Sequence, residues 1–149
     1  MEENKCEVQL KEIIYHSEEY NQEVEVRDHV LRKPLGMSLY DENLEKEKDD
    51  IHIGAFIDGK VAGVLILTRL NAKDIKMRQV AVDDGLRGKN TGTKMVAFAE
   101  EHAREKGYTT MVLNARKTAV GFYEKLGYEK IGEEFPEINI PHYKMRKIM

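Results

Sequence analysis

The stretch VAVDDGLRGKNTGTKM, Val80 to Met95, runs from an apolar β-branched segment into one with helical spacing. Gly85, Gly88 and Gly92 punctuate the crossing, with Arg87, Lys89 and Lys94 set among and just after them. A strand, a glycine-rich basic loop and a helix start together make an anion cradle. The first N–H groups of a helix lack intrahelical partners and carry roughly half a positive charge. A phosphate satisfies both needs, and glycines let the backbone come close to it. The plainer reading of the same residues is an ordinary strand–helix turn with surface lysines. Spacing excludes two phosphate motifs. A P-loop needs Gly, four residues, then Gly-Lys-Ser/Thr, but Gly88-Lys89 is followed by Asn90 and the position five before Gly88 is Asp83. The dinucleotide fingerprint G-x-G-x-x-G is absent, and strands already precede the loop where a Rossmann unit would begin.

Upstream, KDIKMRQVAV alternates, with Ile75, Met77, Gln79 and Ala81 on one side and Lys76, Arg78, Val80 and Val82 on the other. Before it, IHIGAFIDGKVAGVLILTRL reads as two strands joined at Asp58-Gly59, a hairpin signal. The start, EVQLKEIIY, suits a first strand. A helix then begins at a Ser17 cap, with Glu18 and Glu19 in its first turn and Tyr20, Val24, Val30 and Leu31 near helical spacing; Pro34 and Gly36 stop it. SLYDENLEKEKDD reads as an acidic loop whose charge is solvated. Downstream, TGTKMVAFAEEHAREKG sets Met95, Phe98, Ala99, His102 and Ala103 on one helical face, and Gly107 ends it. YTTMVLNA is a strand, KTAVGFYEKLG a short helix ended by Gly127, and YEKIGEEF another strand. INIPHYKMRKI is the last strand, where Pro141 predicts an edge or a bulge. The order β-α-β-β-β-α-β-α-β-β gives an α/β (α+β) fold, and its two crossover helices imply some parallel pairing in a mixed sheet.

The 149 residues suit a single domain over 1–149. A net charge of −3 and a pI near 6.0 argue against nucleic acid or an anionic membrane as partner. One cysteine, Cys6, excludes an internal disulfide and a cysteine-rich metal site, and reads as an inert thiol. No apolar run approaches the ~18 residues of a membrane span, and MEENKCEVQLKE is too polar for a signal peptide, so a cytoplasmic location is expected. His16, His29, His52 and His102 have no metal-ligand spacing and no carboxylate cluster is expected around them, so no metal is expected.

Two motifs carry a resemblance to a known family. VAVDDGLRGKNTGTKMVAFAEEHAREKGY is similar to the acetyl-CoA-binding motif of the GNAT N-acetyltransferases, whose loop reads R/Q-x-x-G-x-G/A at a helix start. NARKTAVGFYEKLGYEKIGEEF resembles their next motif, A-x-x-F-Y-x-K-L-G-F/Y. The likeness extends from about residue 20 to the C-terminus. The ending EINIPHYKM and the stretch Val30 to Arg32 resemble the branch containing glyphosate N-acetyltransferase and, more loosely, the ElaA-like proteins. Asn90 departs from the pattern, since the family usually has glycine there. Asparagine is the non-glycine residue that best tolerates a left-handed backbone, which Asn90 must adopt if the cradle is kept.

The resemblance implies a GNAT-type fold with a mostly antiparallel mixed sheet of about six or seven strands flanked by helices. It implies an acetyl-CoA-dependent N-acetyltransferase. Backbone N–H groups of Arg87, Gly88, Lys89, Asn90, Thr91, Gly92 and Thr93 would hold the pyrophosphate, and Val80, Ala81 and Val82 would pair with the pantetheine arm, with Asn114 also on the cofactor. His142 would be the general base, an imidazole being mostly neutral at pH 7, and Tyr123 the general acid toward the leaving thiolate. Arg32, Arg78 and Arg116 match arginines that bind acidic groups of the substrate, for which a planar donor fork is suited. The acceptor expected is a small amine bearing a carboxylate or phosphonate, handled by a monomer or homodimer. Each residue also has a structural reading: a surface histidine, a packed tyrosine, solvated arginines. A CoA-binding sensor without turnover, and a protein lysine or N-terminal acetyltransferase, are the alternative functions.

Overall fold

A computed structural model describes residues 8–83 and 90–149, so Cys6, Arg87, Gly88 and Lys89 lie outside the described residues. The elements follow the expected order: β1 (Gln9–Ile13), α1 (Glu18–Arg27), β2 (Ile51–Ile57), β3 (Lys60–Arg69), β4 (Asp74–Val82), α2 (Thr91–Glu105), β5 (Thr110–Arg116), α3 (Val120–Lys125), β6 (Glu129–Glu137) and β7 (Ile140–Ile148). The strands form a seven-stranded mixed sheet in the order β1-β2-β3-β4-β5-β7-β6. β4 and β5, joined by the α2 crossover, run parallel, whereas β1–β2, β2–β3, β5–β7 and β6–β7 are antiparallel. Among the described residues no helix is long and apolar enough to cross a membrane. The chain divides into two compact units, Met1–Leu67 with Gln79–Ala99, and Thr68–Arg78 with Glu100–Met149.

In the first unit, Ser17 caps α1 by accepting from the Tyr20 N–H, and Glu18 and Glu19 stand in the positive first turn. Its buried face is Tyr20, Glu23, Val24 and Arg27, the i, i+3, i+4, i+7 stripe of an amphipathic helix with two charges in it. Regular α-helix ends at Arg27, earlier than the apolar spacing predicts. The chain continues as a wider turn over Asp28–Arg32 and a tight one over Lys33–Leu35, because Pro34 has no N–H to give and Gly36 turns left-handed at φ 73°. Tyr20 and Val24 join Ile13, Leu39, Phe56, Val61, Val64 and Ala81 in one apolar cluster. All of β2 is buried, as is β3 from Val61 to Leu67. Their two-residue turn has Asp58 at φ 53° and Gly59 at φ 79°, the geometry that Asp-Gly predicts. Gly63 of β3 is where α2 comes down on the strand, since a Cβ there would meet Met95 Sδ at 2.6 Å and the Ala81 carbonyl at 3.3 Å. The acidic stretch before β2 is a correction to the sequence reading. It holds two short turns, Leu39–Asp41 and Leu44–Glu47, in which Leu39 and Glu47 are buried rather than solvated.

In the second unit, β5 alternates: Met111, Leu113 and Ala115 are buried, leaving Val112, Asn114 and Arg116 on the opposite face. Glu100 is buried and shared, accepting from Tyr128 Oη at 2.8 Å and Lys147 Nζ at 2.9 Å. β7 lies between β5 and β6, so Pro141 is not on an edge strand. It escapes a ladder loss on one side because β5 pairing begins one residue later, at Arg116↔His142. β6 and β7 are joined by a second two-residue turn, Ile138 at φ 52° and Asn139 at φ 59°.

Candidate functional site

Most of the residues expected to hold the donor lie in the first unit. β4 is paired with β5 over Asp74–Met77 and then continues to Val82. Gln79 breaks the strand's extended run at φ 55°, and its Oε1 accepts from Arg27 Nε at 3.3 Å. Val80 and Val82 are half-buried, Ala81 is buried, and the strand ends where the Asp83 N–H donates to the Ala62 carbonyl. Asn90 is left-handed at φ 57°, as the sequence required of it, and its carbonyl accepts from the Lys94 N–H at 3.0 Å, placing it at the start of α2. Thr91, Gly92 and Thr93 make the first helical turn, which holds no acidic side chain to oppose an anion at its positive end. An anionic donor therefore fits this helix end. In the same unit Arg32 is buried and engaged: its Nε donates to Glu42 Oε2 at 2.6 Å and its Nη2 to Oε1 at 3.3 Å.

The second unit holds the other predicted residues. Arg78 lies two beyond Lys76, which pairs with Val112; Asn114 and Arg116 follow at the same parity, and Arg116 pairs with His142. Strand alternation thus puts Arg78, Asn114, Arg116 and His142 on one face. Arg78 Nη1 donates to Thr68 Oγ1 at 3.3 Å. His142 is 5% exposed, and its Nδ1 is 2.8 Å from the Ile140 carbonyl. A carbonyl only accepts, so that bond assigns a proton to Nδ1, and in the neutral ring it is Nε2 that carries the lone pair. Nε2 is 3.7 Å from Glu137 Oε2, and Glu137 Oε1 accepts from Asn114 Nδ2 at 3.0 Å. Tyr123 is buried between Phe122 and Tyr128, with ring centroids at 5.0 and 5.8 Å. Burial pushes its phenol up to about 12. It therefore keeps its proton more firmly than the ordinary phenol the sequence suggested, and is the weaker acid for it.

Sequence reasoning missed a set of charges in the first unit. Arg27 Nη1 donates to Glu23 Oε2 at 3.0 Å and to Glu47 Oε1 at 2.8 Å, and Nη2 to Glu47 Oε2 at 2.7 Å. His52 has Nδ1 at 2.8 Å from Glu23 Oε2 and Nε2 at 2.8 Å from the Glu47 carbonyl. So His52 does sit in a carboxylate cluster, contrary to the sequence reading. Ligand atoms of Glu23, Glu47 and His52 lie within 4.8 Å of one another. The Arg27 guanidinium already donates to both carboxylates, and a metal ion would have to displace it. The helical spacing Tyr20-Glu23-Val24-Arg27 was the available signal for the buried charges. Glu137 carried none.

Residues 14–149 match the family model described as an acetyltransferase (GNAT) domain. The uncharacterized N-acetyltransferase YjcF of Bacillus subtilis (strain 168) is 31% identical over 146 residues, 96% of this chain and 95% of that protein. Among solved structures, an N-acetyltransferase from Lactobacillus plantarum superimposes with a TM-score of 0.85 at 19% identity, covering 95% of this chain and 97% of that one. Escherichia coli ElaA does so at 0.79 and 16%, covering 94% and 99%. At these identities the two structures speak for the fold.

Proposed function

The chain belongs to the GNAT acetyltransferase family and is an acetyl-CoA-dependent acetyltransferase, and from that premise we propose that its acceptor is a small amine bearing a carboxylate or phosphonate. One observation carries the proposal: His142, with Nδ1–H held by the Ile140 carbonyl, shares a strand face with Arg78 and Arg116. The likeness of EINIPHYKM to the glyphosate N-acetyltransferase branch supports the same substrate class.

Bound acetyl-CoA supplies the activated thioester carbonyl. The chain's own residues do the rest. The N–H groups opening α2 and the backbone of Val80 and Val82 hold the donor. His142 Nε2 takes the proton of the acceptor ammonium, freeing the nitrogen lone pair for attack. The imidazolium so formed keeps its Nδ1–H on Ile140, and the ring need not turn. Arg116 pairs with His142 across the β5–β7 ladder, where Cβ atoms stand roughly 4.5–5.5 Å apart. An acid group recognised by Arg116 and Arg78 therefore belongs one or two carbons from the amine. Tyr123, its proton retained by burial, donates a hydrogen bond to the departing sulfur. Arg32 is already bonded to Glu42, which an acid group of the acceptor would have to displace.

The test is acetyl-CoA turnover against amino acids, aminophosphonates, simple alkyl amines and lysine peptides. The expected result is selective acetylation of the acidic amines, with Arg116→Ala raising their KM by about tenfold or more, the loss of a charge-assisted contact. Equal turnover of uncharged amines or of peptides, indifferent to Arg116→Ala, overturns the acidic-acceptor reading. Tight acetyl-CoA binding without transfer to any acceptor points to a sensor instead.

A further inference from the structure

We infer that Glu137, held by Asn114, is the site that receives the acceptor's ammonium group and hands its proton to His142. The inference rests on His142 being the base. Its starting point is a mismatch of polarity. The Ile140 carbonyl fixes a proton on Nδ1, so in the neutral ring Nε2 presents a lone pair. Glu137 Oε2 presents another, 3.7 Å away. In that neutral form two acceptors face each other across a gap too long for a hydrogen bond.

An alkyl ammonium has three N–H donors and a positive charge, and it satisfies both acceptors at once. Glu137 is suited to the task on three counts. Its side chain is 43% exposed, so an incoming cation reaches it. Its other oxygen accepts from Asn114 Nδ2 at 3.0 Å, which leaves Oε2 aimed along the strand face toward His142. It also closes β6 directly before the tight turn into Ile140, whose carbonyl fixes the His142 tautomer. One turn therefore sets both the carboxylate and the imidazole. Ile138 in that turn is held at φ 52°, a conformation that β-branched residues rarely adopt.

In the reaction, one N–H proton passes from the ammonium to His142 Nε2 and the electron pair stays on nitrogen. The new imidazolium then lies beside the Glu137 carboxylate, and the two opposite charges stabilise each other. With Arg116 two strands' width from Glu137 on the same face, the preferred acceptor is a zwitterion: ammonium toward Glu137, acid group toward arginine.

The experiment uses two matched pairs of acceptors with the purified full chain and acetyl-CoA. β-Alanine and aminooxyacetate have nearly the same shape and the same carboxylate, but the first is an ammonium at neutral pH and the second a neutral amine. Propylamine and O-ethylhydroxylamine repeat the contrast without the acid group. In Glu137→Gln, the ratio of kcat/KM for the ammonium member to that for the neutral member falls by about tenfold or more. Glu137→Asp recovers part of it, and Asn114→Ala loses less than Glu137→Gln. An unchanged ratio, or equal loss on both members, overturns the inference, as does a wild-type chain that acetylates none of the four. Failure of the base assignment shows separately, as β-alanine turnover at the wild-type rate by His142→Ala.

Discussion

His52 and His142 are both buried, and each faces a glutamate, yet one is closed and the other open. His52, 1% exposed, has both ring nitrogens at 2.8 Å from oxygen. The Glu47 carbonyl can only accept, and Glu23 Oε2 already accepts from Arg27, so both nitrogens of His52 donate and the ring is an imidazolium. Burial by itself would depress its pKa, but the hydrogen bond and charge of Glu23, with the Glu47 carbonyl and carboxylate, outweigh burial and raise it. Two carboxylates, one guanidinium and one imidazolium then leave no net charge in the cluster. His142 has one nitrogen bonded at 2.8 Å and the other 3.7 Å from its glutamate. The difference is one of saturation. A histidine whose two nitrogens are both taken fixes its neighbours, while one with a spare nitrogen can exchange a proton.

The sharpest way to break this contrast is to remove each histidine's function in turn. His142→Ala should lower kcat about 10²- to 10⁴-fold, the range for loss of a general base, while the urea midpoint changes little. Full kcat across the pH profile would refute the open–closed distinction at its reactive end. Arg27→Ala leaves Glu23 and Glu47 buried against a single cation, and unfolding free energy should drop by about 3–5 kcal/mol in chemical denaturation. A smaller third effect follows from linkage. The pKa of His52 is raised on folding, so its contribution is fully present below the unfolded value of about 6.5 and is lost as pH rises through the folded value. Stability measured from about pH 6.5 upward should therefore decline, and His52→Gln should flatten that decline. A wild-type curve that rises over the same window contradicts a charged His52. The smallest effect belongs to Arg32–Glu42, whose glutamate is 38% exposed. Glu42→Ala should cost about 1 kcal/mol or less, and should leave the KM of an acidic acceptor unchanged if Arg32, like His52, is committed to its partner.

The fold was legible because its signals are local. Asp58-Gly59 announces a left-handed two-residue turn, the glycine-rich run before α2 announces a helix start, and alternation along β4 and β5 assigns faces. Asn90 could be expected left-handed because the resembling family usually has glycine there, and asparagine is the non-glycine residue that best tolerates that backbone. The β6–β7 hairpin was not legible, since Ile138-Asn139 lacks glycine and resembles strand. The charged cluster was hidden for a different reason. Glu23, Arg27, Glu47 and His52 are surface-type residues taken singly, and only long-range contact shows that each is another's partner. Of the candidate site, the residues came from the family resemblance and their shared face only from the strand register, while the His142 tautomer and the Glu137–Asn114 bond depend on side-chain geometry that no spacing encodes.

The Ile138-Asn139 turn has a consequence for engineering. Two consecutive left-handed residues favour Asn followed by Gly, and the chain instead holds an isoleucine, 42% exposed, in that conformation. Strain of this kind is unused headroom. Ile138→Asn with Asn139→Gly should raise the melting temperature by a few degrees, equivalent to about 1 kcal/mol. If activity survives the exchange, the hairpin is a free handle for making the enzyme sturdier. If activity falls as stability rises, the turn marks where this molecule trades robustness for turnover.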